Sequence, residues 1–125
     1  MNNNTIRFLL KLKNASLAKN KSIFVTVDKL CFLILKSLYK DGYIQGYLFV
    51  SEKKVKIFLR YMYNKSLLDS ILILSTSSRK IYIKYQSILK LKIQNKKMFI
   101  LTKGGIFTLL QCKQNFLGGL VLFLC

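Results

Sequence analysis

Histidine, tryptophan and proline are absent from this 125-residue sequence, and only four acidic residues occur, Asp28, Asp41, Glu52 and Asp69. Without histidine there is no Ser-His-Asp triad, no imidazole base and no His-ligated metal. Four scattered carboxylates do not supply a catalytic pair. The cysteines Cys31, Cys112 and Cys125 are odd in number, far apart and never in a CxxC spacing. That excludes a zinc ribbon and a disulfide framework, and leaves reduced thiols that pack as small hydrophobes. Long apolar runs are missing too. A membrane-spanning helix needs roughly 20 predominantly apolar residues. Here the best run, Leu30 to Leu35, is closed by Lys29 and Lys36, and Leu120 to Cys125 is far too short. Together these absences argue against an enzyme, a metal centre, a cofactor, a small-molecule substrate and a membrane span.

What is abundant is positive charge. Lys and Arg number 22 against 4 acids, a formal net charge of +18. Repulsion on that scale works against a compact state unless a polyanion neutralises it. Nucleic acid is the better partner and an anionic membrane surface the poorer one. Hydrophobic residues make up 52% of the chain, enough for a real core; a disordered basic tail lacks such surface. The length suits one domain or two small lobes. Lys, Asn, Ile, Phe, Tyr and Leu dominate, residues that AT-rich codons supply. The source is then an AT-rich bacterium or an organelle-encoded gene, with mitochondrion ahead of plastid.

The periodicities predict a helix over residues 2–19, with Ile6, Leu9, Leu10 and Leu17 on its apolar side and Arg7, Lys11, Lys13 and Lys19 on its polar side. Being basic, amphipathic and acid-free, it also fits an import presequence. A short strand follows at 22–27. Asp28 then caps a second helix, 29–40, which stops at Gly42. Strands are predicted at 44–50 and 55–63, the latter alternating Val55, Ile57, Leu59, Tyr61 and Tyr63 against Lys56, Phe58, Arg60 and Met62. The order α-β-α-β-β gives a three-stranded sheet covered by two helices, with a lobe boundary at Asn64 to Ser66. The second half reads as mainly strand: 67–74, 81–85, 98–101 and 120–124, with a helical turn at 87–91 and a short helix at 109–115. The fold class is α+β, with an N-terminal lobe over 1–64 and a mostly β C-terminal lobe over 65–125.

Three segments carry chemistry suited to RNA. Ser75, Thr76, Ser77 and Ser78, followed by Arg79 and Lys80, combine hydroxyls, turn N–H groups and two cations, as a phosphate backbone requires; an ordinary polar turn looks the same. The turn Thr102-Lys103-Gly104-Gly105 allows close backbone approach, and a plain hairpin turn would do so equally. Tyr82, Lys84 and Tyr85 mix rings with cations, fit for stacking and phosphate pairing, or for a strand with its tyrosines buried. The glycines are not followed by Lys-Ser/Thr, so no phosphate-binding Walker loop is present.

Five segments in register resemble the family of small-subunit ribosomal protein eight. LLKLKNA (9–15) is similar to its first helix, and DKLCFLILKSLYKDGYI (28–44) to its second helix and the exit into a strand. STSSRKIY (75–82) resembles its Ser-Arg/Lys-Pro-Gly-x-Arg-x-Tyr stretch, LTKGGIFT (101–108) its Ser-Thr-Ser-Lys-Gly-x-x-Thr signature, and LGG (117–119) the Leu-Gly-Gly before its last strand. The chain departs from the family at Thr26 and Asp28, where the family has Pro and Ser. It departs again at Ser77-Ser78 in place of Pro-Gly, at Leu120 in place of Glu, and, aligned without a gap, at Lys103 and Gly104 in the signature; a one-residue shift instead keeps Lys103 in the role of the signature's Lys.

The resemblance implies two α+β lobes and a structural constituent of the small ribosomal subunit. Such a ribonucleoprotein component would hold the central domain of small-subunit ribosomal RNA during assembly and translation, beside neighbouring small-subunit proteins. The RNA-binding residues expected are Thr102, Lys103, Gly104, Gly105 and Thr108, then Ser75, Thr76, Arg79, Lys80, Tyr82 and Lys84, with Gly118 and Gly119. In the first lobe they are Lys11, Lys13, Asn14 and Lys29. The expected location is the small subunit of a mitochondrial ribosome, otherwise that of a plastid or of an AT-rich bacterium. The competing functions are a basic membrane-surface protein and a free-standing RNA-processing factor.

Overall fold

A computed structural model describes residues 3–76, 78–92 and 96–125. The fold is α+β and forms two units, Asn3–Ile71 and Leu72–Cys125.

The first unit contains α1 (Asn3–Leu17), β1 (Ser22–Thr26), α2 (Lys29–Lys40), β2 (Ile44–Phe49), β3 (Lys54–Leu59) and a 3-10 turn (Leu67–Ser70). The strands form an antiparallel sheet in the order β1-β3-β2. On β3 the expected alternation holds as far as Leu59, with Val55, Ile57 and Leu59 all buried; the strand ends there instead of at Tyr63, which is exposed at φ 53°. Helix α2 starts as anticipated: the Asp28 carboxylate accepts from the Cys31 N–H at 2.8 Å. It ends at Asp41, with Gly42 at φ +81° just beyond. That left-handed conformation costs a side chain with a Cβ about 1–2 kcal/mol.

Three expectations for this unit need correction. Helix α1 buries Thr5, Phe8, Leu9, Leu12, Ala15 and Ser16, whereas Leu10 and Leu17 stay 44% and 55% exposed. The buried stripe is therefore rotated from the one predicted. It carries two small polar residues, and Ser16 satisfies its own hydroxyl on Lys13 O at 2.8 Å. The strand predicted over 67–74 is instead the 3-10 turn followed by a two-residue strand. Ser66 and Asp69 form a capping box there, and a closed turn satisfies those backbone groups locally. The division between units falls after Ile71, not after Asn64. Leu68 is buried, the turn packs on α1, and the Lys13 ammonium donates to Ile71 O at 3.1 Å. Residues 62–65 are a tight hairpin instead. Met62 and Lys65 exchange both backbone bonds, at 2.8 and 3.0 Å, around Tyr63 and Asn64 at φ 53° and 61°.

The second unit contains β4 (Leu72–Ile73), β5 (Tyr82–Ile83), α3 (Tyr85–Lys90), β6 (Met98–Thr102), β7 (Gly105–Thr108), α4 (Leu109–Asn115) and β8 (Gly119–Leu124). All its strands are antiparallel. The sheet runs β4-β8-β6-β7, and β5 pairs with the same strand, β8, that β4 does. Strand β7 was not anticipated; it returns directly from the Thr102–Gly105 turn. Ile88 of α3 and Leu109 and Cys112 of α4 pack with Met98, Ile100 and Val121 of the sheet. Phe99 and Phe123 stand opposite each other in the register and stack at 4.7 Å between ring centroids. Among the described residues no helix is long and apolar enough to cross a membrane.

All three cysteines are free and buried. Burial pushes the Cys31 thiol from its ordinary 9.0 up to about 11 and the Cys125 thiol up to about 12, and raises Cys112 as well. Below about 9 the thiols are neutral in both folded and unfolded chains. Above it the unfolded chain sheds protons that the folded chain keeps, so stability falls as pH rises from about 9 toward 11 or 12. Urea midpoints measured across that window should decline, and a Cys31→Ala, Cys125→Ala double variant should show a shallower decline. Thiol-reactive dye should label the native protein slowly and the unfolded protein fully.

Candidate nucleic-acid interface

The β6–β7 turn is built by the threonine that opens it. The Thr102 hydroxyl donates to Gly105 O at 2.9 Å and accepts from the Gly104 N–H at 3.2 Å. Gly105 sits at φ +119°, a conformation that favours glycine. Lys103 and Gly104 are left exposed at the tip. Strand β7 then ends at Thr108, whose hydroxyl accepts from Gln111 N–H while the Gln111 side chain accepts from Thr108 N–H at 3.1 Å. This reciprocal cap starts α4. Both threonines are thus turn-formers, and the cation between them is what faces outward.

The 75–80 segment divides. Ser75 is fully buried; its hydroxyl donates to Val121 O and accepts from Ile81 N–H at 3.1 Å. It rivets the chain to β8 and is closed to any ligand, which corrects its expected role in binding. Thr76 closes the excursion: its N–H donates to Arg79 O at 2.8 Å and its hydroxyl accepts from Arg79 N–H at 3.1 Å. Ser78, Arg79 and Lys80 are exposed, and Ser77 lies outside the described residues. Tyr82 is 69% exposed and Lys84 is exposed, so the tyrosine of this strand faces out, whereas Tyr85 is half-buried against Phe116.

The start of β8 gathers these pieces. Tyr82 and Leu101 flank Leu120 on its two sides. A Cβ on Gly118 would press into Ile83 O at 2.6 Å and Tyr85 N at 2.9 Å, and one on Gly119 would overlap the Leu101 carbonyl. The two glycines therefore serve to bring β5, β8 and β6 together. The space a side chain would need beside each is filled by protein backbone, which gives both glycines a role in packing.

In the first unit Lys11, Asn14 and Lys29 are exposed, whereas the Lys13 ammonium is tied to Ile71 O. Sequence reasoning passed over a second feature here. A cleft of about 340 Å³ is lined by Arg7, Lys11 and Lys53, with Asn4 and Asp28. Arg7 and Lys11 lie one helical turn apart, so two of the three cations were legible; Lys53, from the β2–β3 turn, was not. Three cations with one carboxylate make the cleft electropositive. Among the described residues no group of three or more His, Cys, Asp or Glu is placed to hold a metal.

A family model described as ribosomal protein S8 matches residues 5–125. The chain is 33% identical over 93 residues to small ribosomal subunit protein uS8m of Acanthamoeba castellanii, covering 73% of each chain. It is 35% identical over 105 residues to uS8m of Dictyostelium discoideum, covering 82% of this chain and 69% of that one. With uS8c of Bigelowiella natans it shares 28% identity over 131 residues, 98% of each.

The geometry separates residues that build the surface from residues that present it. Ser75→Ala leaves a buried carbonyl and N–H without their partner and should cost about 1–3 kcal/mol of unfolding free energy. Gly119→Ala forces β8 away from β6 and should cost more than about 2 kcal/mol. Lys80→Ala, on an exposed side chain, should stay within about 0.5 kcal/mol of the parent. Urea unfolding of the three variants checks the order; a Ser75→Ala protein as stable as Lys80→Ala contradicts it.

Proposed function

The chain belongs to the ribosomal protein S8 family, structural constituents of the small ribosomal subunit that bind ribosomal RNA, and on that premise we propose that it binds the central domain of that RNA through the second unit. The observation carrying this reading is the division of labour around β8. Internal hydrogen bonds of Thr76, Thr102 and Thr108 fix two turns and a helix start. The residues left pointing outward are Arg79, Lys80, Tyr82, Lys84 and Lys103. Structured RNA is read through its backbone, 2′-hydroxyls and shape, and fixed turns with exposed cations suit that task. Gly104 and Gly105 let the tip approach a phosphate backbone closely. The first unit adds general phosphate attraction through Lys11, Asn14 and Lys29 and through the Arg7–Lys11–Lys53 cleft.

We further propose a mitochondrial ribosome as the location and neighbouring small-subunit proteins as partners. Two relatives are mitochondrial uS8m proteins; the uS8c relative makes a plastid ribosome the alternative to be separated. The role is structural, without turnover of a substrate. In support, the sequence has no histidine and its four carboxylates are scattered along the chain.

Sedimentation of organelle lysates in high salt tests the assignment: co-migration with small subunits of mitochondria is expected, and recovery only in light fractions or on membranes contradicts it. Filter binding tests the interface. With about 6–10 phosphates neutralised, log affinity for a central-domain fragment should fall steeply and linearly with log salt. Lys103→Ala should lower the slope by about one charge. Thr102→Val, which releases the turn, should weaken the fragment by about 1–3 kcal/mol and a random duplex much less. Equal losses on both RNAs would remove the case for specific readout by this turn.

A further inference from the structure

The outward face of the β1-β3-β2 sheet carries a second feature that the second-unit interface does not use. Phe24 of β1 and Lys56 of β3 are register partners, and Leu48 of β2 stands on the other side of Lys56. Phe24 is 53% exposed and Leu48 60% exposed. The Lys56 ammonium lies 5.6 Å from the Phe24 ring centroid and 5.2 Å from that of Phe58. Lys54 places a second ammonium 5.5 Å from the Phe24 ring. None of the four acids lies on β1, β2 or β3. An exposed ring and a half-buried one, each with an ammonium group over it, on strands free of carboxylates, match the alternation of base and phosphate along an unpaired strand.

We propose that this sheet face is a stacking platform for a single-stranded RNA segment, with bases on Phe24 and Phe58 and phosphates on Lys54 and Lys56. Cation–π contact at an exposed ring is weak, whereas stacking of a base on an aromatic ring is stronger. A base therefore displaces the ammonium groups from over Phe24, and they move outward to the phosphates on either side. Leu48 extends the apolar floor beneath the sugars. Charge complementarity favours an anionic occupant, and the pairing of each ring with a cation favours nucleic acid over an acidic protein segment. A duplex keeps its bases stacked inside and offers the rings nothing. The inference extends the RNA-binding reading to a different unit and a different RNA form.

Because the sequence lacks tryptophan, Phe24→Trp puts a unique fluorophore on the platform of the full-length chain. At physiological ionic strength, a short oligouridylate should quench the introduced indole, and a duplex of matched length should quench it far less. Phe24→Leu, which keeps an apolar side chain but removes the ring, should weaken oligouridylate binding at least about fivefold with an unchanged thermal midpoint. Lys103→Ala should leave that binding nearly intact while weakening the central-domain fragment, so the two sites fail independently. If polyglutamate perturbs the indole as strongly as oligouridylate, the face is a protein-docking surface and the proposal is overturned. Absence of quenching by oligouridylate, or equal affinity of Phe24→Leu and parent, overturns it as well.

Discussion

Repulsion among 22 cations facing only four acids is the constraint under which every other interaction here operates. Ion pairs cannot hold such a chain together, so apolar burial and neutral hydrogen bonds must. The acids are placed where a carboxylate serves the backbone: Asp28 caps α2, and Asp69 completes the capping box with Ser66. Cations that turn inward find carbonyl oxygens instead of carboxylates. Lys13 reaches Ile71 O and Lys113 reaches Leu91 O at 2.8 Å, and the exposed Arg60 likewise donates to Gly42 O at 3.3 Å. Others lie over rings, as Lys36 does over Phe32 at 4.6 Å. Each contact satisfies donors without cancelling charge, so the net charge stays available for a polyanion.

That constraint shapes the candidate interface of the second unit. Hydroxyls are plentiful short polar groups there, and the fold uses four of them. Ser75 pins the chain to β8, Thr76 closes the excursion that follows, Thr102 holds the hairpin and Thr108 starts α4. A hydroxyl committed to the backbone is not lost to recognition, because it fixes where the neighbouring cation points. Lys103 stands on a turn whose two ends are hydrogen-bonded to one threonine side chain. Such pre-organisation lowers the ordering cost of binding, which a long lysine on a flexible loop would have to meet in full.

Much of the fold was legible from pattern. Asp28 and Gly42 delimit α2 because capping and positive φ are local requirements, and the 109–115 helix is bounded by a capping box and a short apolar stripe. The buried face of α1 was not legible, since Thr5 and Ser16 read as polar yet face the interior, and Leu10 and Leu17 read as core yet face solvent. The 67–74 segment misled for the opposite reason: its aliphatics suggest a strand, but Ser66 and Asp69 close a turn first. At the candidate site the residue types were found and several roles were not. Whether a serine faces RNA or a carbonyl depends on what lies opposite it, and for Ser75 that partner is Val121, distant in sequence. The Gly118–Gly119 pair is similar: its requirement comes from Leu101 and Ile83, which no local pattern around it reveals.

The same logic explains how the chain can diverge from its relatives and keep its architecture. Identity to the relatives above is 28–35%, and of the departures noted in the sequence Asp28 serves the fold as the cap of α2, whereas Thr26, Lys103, Gly104 and Leu120 lie at exposed or half-buried positions. Lys103 and Gly104 occupy the exposed tip of the β6–β7 turn, while the residues that set its geometry, Thr102 and Gly105, are the ones with the hydrogen bonds and the positive φ. Thr26 closes β1 on the exposed side, opposite Lys54. Leu120 is only half-buried between Tyr82 and Leu101. Where recognition rests on backbone placement and net charge, tip residues can change chemistry as long as the turn keeps its shape.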